Sequence, residues 1–579
     1  MPRRSTLRQT ASVASPLRVP MVTTIQNRDE SFDRDARLVN AFAELDPVSK
    51  EYWVEKRIGY TLHEQHTGAG LGMYNWQGDL YAVFGTSLLK NGIAFGVVDG
   101  SDRYVFCELM GPGWLVLGNG VKAYYTDGTT LNELQTFLPI YAGDLLVGSR
   151  YEIASVGTTN FVAIGASSNT VGVQFTATGQ GDPMSTGYVN LVAGSFINGV
   201  NYRVVTVGTT DYTLIGGVNV VGSIFQAEGV GSGTGTVEIP NFPSSFVKGW
   251  AYLDGTLYVM DELARIWGTA TLAVGGIGGL DDPRIWDPLN ILIARNEPDP
   301  GVFLLKHQAY VIALKQWTAE AFYDAGNPTG SPLRPVQGAQ CVYGCLSADS
   351  VQYIDGTILW LTFNRAVSPQ IARMDDLRAT IISTPPIERL LDQIKGSPIF
   401  SWKFKHGGHR YYGLTIKARN ITIVYDMDQQ LWYQWTDADG NYWPIVAHSY
   451  TGDNEHILQH ETNGRCYLAE GDYEYPNDDG DVVPVDIYTP NFDAGVDRRK
   501  QLNFMRFNAD QKSGSRLFVR FSDDDYQTWT NFREVNLGNK RPVLTTCGTF
   551  YRRAWHFRHF ANTPLRIKTI DLQLDIGTL

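Results

Sequence analysis

The sequence predicts an all-β chain: a β-propeller with an inserted small β-module made of two sequence repeats. Three observations predict it. A hairpin unit recurs along the chain, the composition favours short strands and tight turns, and a duplicated segment interrupts the recurring units.

The recurring unit is a turn signal of Asp-Gly or Gly-X type followed by an alternating aromatic and aliphatic strand. It reads WQGDLYAVFG from Trp76, LDGTLYVMDE from Leu253, KHQAYVIALKQ from Lys306, IDGTILWLTFN from Ile354, GHRYYGLTI from Gly408 and NGRCYLAEG from Asn463. From Leu253 onward the spacing is about 50 residues, within the range of propeller blades. Alternation around a tight turn, as at Tyr252, Leu257, Tyr258 and Val259, marks hairpins with one buried face. A second hairpin follows in the same unit: ITIVYD reads as a strand, MDQQ as a turn and LWYQW as the returning strand. An array of such hairpins closes into a propeller, which leaves few sheet edges exposed.

Composition agrees. Glycine reaches 59 residues and aromatics 12%, a mix that suits strands and turns more than helices. One helix is expected, in TPPIERLLDQIK. Thr384 is its N-cap and Pro385 lies in its first turn. Ile387, Leu390, Leu391 and Ile394 share one face, and Gly396 stops the helix.

The interrupting segment, 143–240, is rich in Gly, Thr, Val and Ser. YEIASVGTTNF from Tyr151 and YRVVTVGTTDY from Tyr202 repeat in register, each followed by Ile-Gly and a later Phe. The expected domains are therefore a basic N-terminal arm at 1–20, the first part of the propeller at 21–142, the inserted module at 143–240, and the remainder of the propeller with a C-terminal blade at 241–579. The arm carries Arg3, Arg4, Arg8 and Arg18 and no acid, and Arg3, Arg4 and Arg8 are candidates for docking on a neighbouring molecule.

Several functions are disfavoured. The net charge of −12, with Lys and Arg dispersed, argues against a nucleic-acid grip, though a conduit need not hold what it conducts. No stretch is long and apolar enough for a membrane span. Cys107, Cys341, Cys345, Cys466 and Cys547 lack zinc spacing and read as reduced, mostly packed thiols. Asp478, Asp479 and Asp481 do not fit an EF-hand loop and read as a solvated acidic loop. His406 and His409 read as turn residues. Ser522, Asp524, Thr528 and Trp529 match the Asp-box turn S-x-D-x-G-x-T-W, with Tyr526 in the glycine position. That turn is structural wherever it occurs. No pair of carboxylates or tyrosine–arginine constellation is singled out for glycoside chemistry. No catalytic residue, cofactor or metal site is expected.

The stretch from Asp281 to Asp355 resembles the tail hub or nozzle proteins of short-tailed bacteriophages, the packaged-DNA stabilisation family. The resembling features are Trp286-Asp287-Pro288, the strand and turn at Glu320 to Gly326, and Gly344-Cys345 before Ser350-Val351. The helix after Thr384 and the hairpin with Tyr425, Asp426 and Trp432 also fit. So do Leu38-Val39-Asn40 with Glu44, Arg57-Ile58-Gly59, and a closing blade with SDDDYQTW and YRRAWHF. Ile58 stands where the family usually has proline. The resemblance implies a structural virion protein, not an enzyme, assembled in the host cytoplasm as a hexameric ring in the tail. It also implies an adaptor (head-to-tail connector) partner, tail fibre or tailspike partners, and double-stranded DNA passing without sequence-specific binding. The ring would help retain and eject packaged DNA. The alternative is a carbohydrate-binding or carbohydrate-cleaving propeller acting on host surface glycans.

Overall fold

The structure is a computed structural model, and it describes residues 17–28, 34–110, 113–271, 273–274, 277–327, 330–339, 341–364, 367–392, 394, 396–469 and 477–577. Its contacts divide it into two compact units, 1–94 with 349–579, and 95–348. The chain is a β-propeller built of four-stranded antiparallel meanders, with the repeat module inserted.

In the first unit one meander runs Gln352–Ile354, Thr357–Asn364, Val367–Met374 and Ala379–Ile381, and the next runs Ile399–His406, His409–Ile416, Ile421–Asp426 and Leu431–Trp435. A third meander runs Ile445–Tyr450, His456–His460 and Arg465–Ala469. Its fourth strand is Tyr60–Gln65, which pairs antiparallel with Arg465–Ala469. A strand from near the start of the chain thus completes a sheet made 400 residues later (Gln65 opposite Arg465). The sheet of Gly70–Trp76, Asp79–Phe84, Ser87–Lys90 and Ile93–Val97 follows in sequence. Gln459, fully buried, joins these two sheets: Gly72 N donates to its Oε1 at 2.9 Å, and its Nε2 donates to Val83 O at 2.8 Å.

The hairpin signals fold as their turn chemistry dictates. Two-residue hairpin turns of type I′, which match strand twist, need positive φ at both positions. Asp254 and Gly255 have φ 47° and 83°, and Asp355 and Gly356 have 44° and 83°. The α-helix spans Pro385–Leu391 and buries Ile387, Leu390 and Leu391, and Ile394 just beyond it is buried as well. Thr384 occupies the N-cap without a side-chain cap bond.

In the second unit the meanders are Val105–Leu109 to Leu131–Glu133, Ala251–Leu253 to Trp286–Ile293, and Gly301–His307 to Leu333–Pro335. Between the first and second of these lies the repeat module. Each repeat contributes a long strand (Arg150–Ser155; Asn201–Thr206), a 3-10 turn (Phe161–Ile164; Tyr212–Ile215) and a short strand (Gln174–Thr176; Ile224–Gln226). The third strands, Tyr188–Val192 and Thr236–Pro240, pair antiparallel at Leu191 and Val237, so the repeats join in one sheet. The recurring residues make its core: Tyr151 and Tyr202, Phe161 and Tyr212, Ile164 and Ile215, Phe175 and Phe225 are all buried together.

The C-terminal part differs from the expected blade. Lys500–Ala509 and Arg566–Ile576 are long strands that pair with each other, and the latter pairs with Tyr52–Lys56. Val485–Tyr488, Ala554–His559, Arg516–Ser522 and Arg533–Asn536 extend the sheet of 399–435 through the bridging strand Arg37–Val39. These two sheets share one core containing Val54, Leu502, Phe507, Trp555 and Ile567. The reason is length and partner. Strands of 10 and 11 residues exceed the blade strands around them, and Leu17–Arg18 and Tyr52–Lys56 supply neighbours of Arg566–Ile576 in place of blade strands. The expected arm therefore ends in a sheet: Leu17 and Arg18 pair with Leu572 and Asp571. Arg3, Arg4 and Arg8 lie outside the described residues.

Candidate functional site

The first unit is pinned by one buried polar network. Asn40 has a left-handed backbone, φ 52°, a conformation asparagine tolerates better than most residues. Its Nδ2 donates to Thr436 Oγ1 at 2.7 Å and to Pro484 O at 2.9 Å, and its Oδ1 accepts from Thr436 N at 2.8 Å and Arg57 Nε at 3.0 Å. Arg57 goes on to grip Asp478 with both nitrogens, Nη1 to Oδ1 at 2.9 Å and Nη2 to Oδ2 at 2.5 Å, and donates to Thr436 O at 2.9 Å. Trp435 and Trp443 flank the guanidinium at 5.9 and 5.7 Å. Burial works against the Arg57 charge, but the charge and hydrogen bonds of Asp478, together with Tyr60 and Asp437, outweigh it, so the guanidinium pKa is raised. Next to it Gly59 packs so tightly that a Cβ would stand 1.9 Å from Asn477 O.

This network corrects the expected solvated acidic loop. Asp478 is buried, because it neutralises Arg57, and only its neighbours reach solvent: Asp479 lies 3.5 Å from Arg465, and Asp481 is exposed. Among the described residues no cluster of three or more His, Cys, Asp or Glu could hold a metal ion. The five cysteines are free thiols, and all but Cys107 are buried. His406 and His409 flank the Gly407-Gly408 hairpin turn.

The motif residues have structural places. Trp286 is buried, donates Nε1 to Pro283 O at 2.9 Å, and meets Phe242 edge-on at 5.1 Å. Asp287 accepts from Leu289 N at 2.8 Å, and Pro288 lies in the same strand. Tyr425 and Trp432 are cross-strand partners with ring centroids 4.8 Å apart. Asp426, fully buried, accepts from Asp428 N at 3.0 Å and Gln429 N at 3.1 Å to shape the turn, and pairs with His409 Nδ1 at 2.7 Å.

The turn at 522–529 is held by short polar side chains. Ser522 Oγ donates to Asp524 Oδ1 at 2.8 Å and accepts from Tyr526 N at 2.9 Å, while Thr528 N donates to Asp524 Oδ1 at 2.9 Å. Hydrogen bonds from Thr528 and Ser522 hold the Asp524 carboxyl down at about 2. Tyr526, at the glycine position, has φ 66°. It is held there by a buried ring whose hydroxyl donates to Thr489 O at 2.7 Å. Trp529 packs half-buried on Tyr488 and His556.

Sequence reading missed the group beside this turn. Arg558 and His556 both hold Asp486, at 2.7 Å and 2.5 Å, while Arg520 Nε donates to His556 Nδ1 at 2.8 Å. With Nδ1 accepting, His556 is a neutral imidazole that donates from Nε2. Burial agrees, lowering its pKa to about 4. The residues are far apart in sequence and carry no motif, so only the fold unites them.

Four-stranded meanders, with a strand from the chain's start completing a late sheet, define a β-propeller protein. Residues 267–472 match the family model described as bacteriophage P22 Gp10, β-propeller, which supports a structural tail protein of a phage. The match agrees with the resemblance carried by Trp286, Tyr425, Asp426 and Trp432, all within it. No curated protein matches the chain. Among solved structures it is similar to the computationally designed Ika8 protein, at 10% identity over 71% of this chain and 99% of that one, TM-score 0.30. It is also similar to BamB from Moraxella catarrhalis, at 10% identity over 71% and 99%, TM-score 0.30. Raptor from Chaetomium thermophilum aligns at 10% identity over 76% of this chain and 29% of that one, TM-score 0.32.

Proposed function

We propose that the chain is a tail hub or nozzle subunit. In this reading it forms a hexameric ring below the portal and adaptor, lines part of the DNA exit channel, and helps retain and eject packaged DNA. The observation that carries it is the family match over 267–472, which falls on blade strands whose motif residues Trp286, Tyr425, Asp426 and Trp432 are buried in the fold. The acidic balance fits a conduit that passes double-stranded DNA without sequence-specific binding. The proposed role is mechanical, with no catalytic residue, in a virion assembled in the host cytoplasm.

Within that reading the 143–240 module is the part that meets a tail fibre, a tailspike or the host surface. Supporting this, it exposes apolar side chains on its turns, among them Met184, Leu214, Val220 and Val221. Exposed apolar surface of this kind accompanies interaction sites. Arg3, Arg4 and Arg8 are proposed to dock on a neighbouring subunit or to meet DNA. Mass photometry of the purified chain, alone and with its adaptor, tests the assignment. Hexamers that bind the adaptor are expected. A monomer that ignores the adaptor and cleaves or binds host polysaccharide speaks for the carbohydrate alternative.

A further inference from the structure

We propose that a cleft of about 390 Å³ in the two-sheet C-terminal region binds a phosphate-bearing ligand. Arg506, Lys540, Arg541, Arg566 and Lys568 line it, against Asp510 as the acid among the described lining residues. In a chain of net charge −12 this is a local inversion of sign. Arg506, Lys540, Arg541 and Lys568 are exposed. Arg506, Lys540 and Arg541 have no ion-pair partner among the described residues, and Lys568 reaches Asp46 only at 3.9 Å. Arg566 is already committed to Glu55 and covers the Trp53 ring at 4.9 Å.

That last contact decides between ligand classes. A sugar site would offer a free indole face, but the Trp53 face carries a guanidinium and its Nε1 donates to Glu44 at 2.9 Å. Trp53 is therefore a wall that positions Arg566. One carboxylate would neutralise only one of several cations, whereas linked phosphates carry several charges in a short span. Guanidinium forks also suit phosphate oxygens, with lysine ammoniums as point charges. The volume lies within the usual range for ligand clefts. The shared chemistry is phosphate, from a free oligophosphate or from the phosphodiester backbone of DNA. The proposal stands on this cleft alone and is independent of the tail assignment.

The test is calorimetric titration of the full chain with tripolyphosphate, and fluorescence anisotropy with a short DNA duplex at low and moderate salt. The variants are R506A/R541A and, separately, K540Q, all at exposed positions. R516A, which breaks the exposed Arg516–Glu534 pair elsewhere, is the control. Tripolyphosphate or duplex binding that weakens about tenfold in R506A/R541A, less in K540Q and not in R516A supports the site. If only tripolyphosphate binds, the ligand is a free oligophosphate. If the duplex binds in the same residue-dependent way, with affinity falling as salt rises, it is the DNA backbone. Binding of neither, or binding indifferent to these substitutions or equally lost in R516A, overturns it.

Discussion

Arg57 and Asp478 form a two-pronged, buried ion pair between the segment that opens the propeller and the one that follows its last blade strand. Both charges are cut off from water, so each depends on the other, and Arg57 draws its remaining bonds from Asn40, Ile58 and Thr436. Removing one partner of such a pair leaves a buried charge uncompensated. Arg57→Met is expected to cost about 3–5 kcal/mol in urea unfolding, and Arg57→Lys less, since one ammonium can replace part of the fork. An unchanged midpoint in Arg57→Met would show that the pair does not secure the joint.

Gly59 makes a steric prediction at the same place. A methyl group there has no room beside the Asn477 backbone, and backbone cannot swing aside as a side chain can. Gly59→Ala is expected to yield insoluble or strongly destabilised protein, read by soluble expression and thermal melting. Gly78→Ala is the comparison. Its Cβ would meet open space, so it pays only the strain of its φ of 89°.

Tyr526 separates strain from packing. Tyr526→Phe keeps the ring and loses the bond to Thr489 O, at a cost of about 1–2 kcal/mol. Tyr526→Gly relieves the left-handed backbone but removes a buried ring, so it is expected to melt lower still. A Tyr526→Gly protein more stable than the native one would mean that backbone strain outweighs the packing.

Histidine titration sets an acid limit. Burial lowers His406 and His460 to about 4, and His448 and His559 to about 3. Folded, these rings stay neutral, while the unfolded chain takes up their protons near pH 6.5. Stability therefore falls as pH drops from about 6.5 towards 4, because the unfolded state binds more protons in that window. His448 faces His456 at 3.1 Å, so the pair cannot accept two protons cheaply. His448→Gln is expected to flatten the fall of melting temperature across that window. An equally steep fall would assign the acid sensitivity to other groups.

Much of this fold was legible because it is local. ITIVYD and LWYQW occupy Ile421–Asp426 and Leu431–Trp435, and the Asp-Gly turns carry the positive φ they advertise. The repeats were legible because each repeated residue returns to an equivalent buried place. What was illegible is long-range. Alternation in Lys500–Ala509 looks like any strand, and nothing in it names Arg566–Ile576 or, beyond that, Tyr52–Lys56 as the neighbours that divert it from a blade. The acidic run at 478–481 looked solvated because its counter-charge, Arg57, sits 421 residues away. The basic cleft likewise gathers residues from 53 to 568 that no local pattern links.

Imaging the intact phage tail with its symmetry imposed, and tracing this chain in the map, tests the central claim most directly. The account predicts six copies in a ring beneath the adaptor, with their propellers around the DNA path and the 143–240 module turned outward. Tails that lack the chain, or a traced chain set apart from the channel with a sugar in a cleft of converging acids, would contradict it.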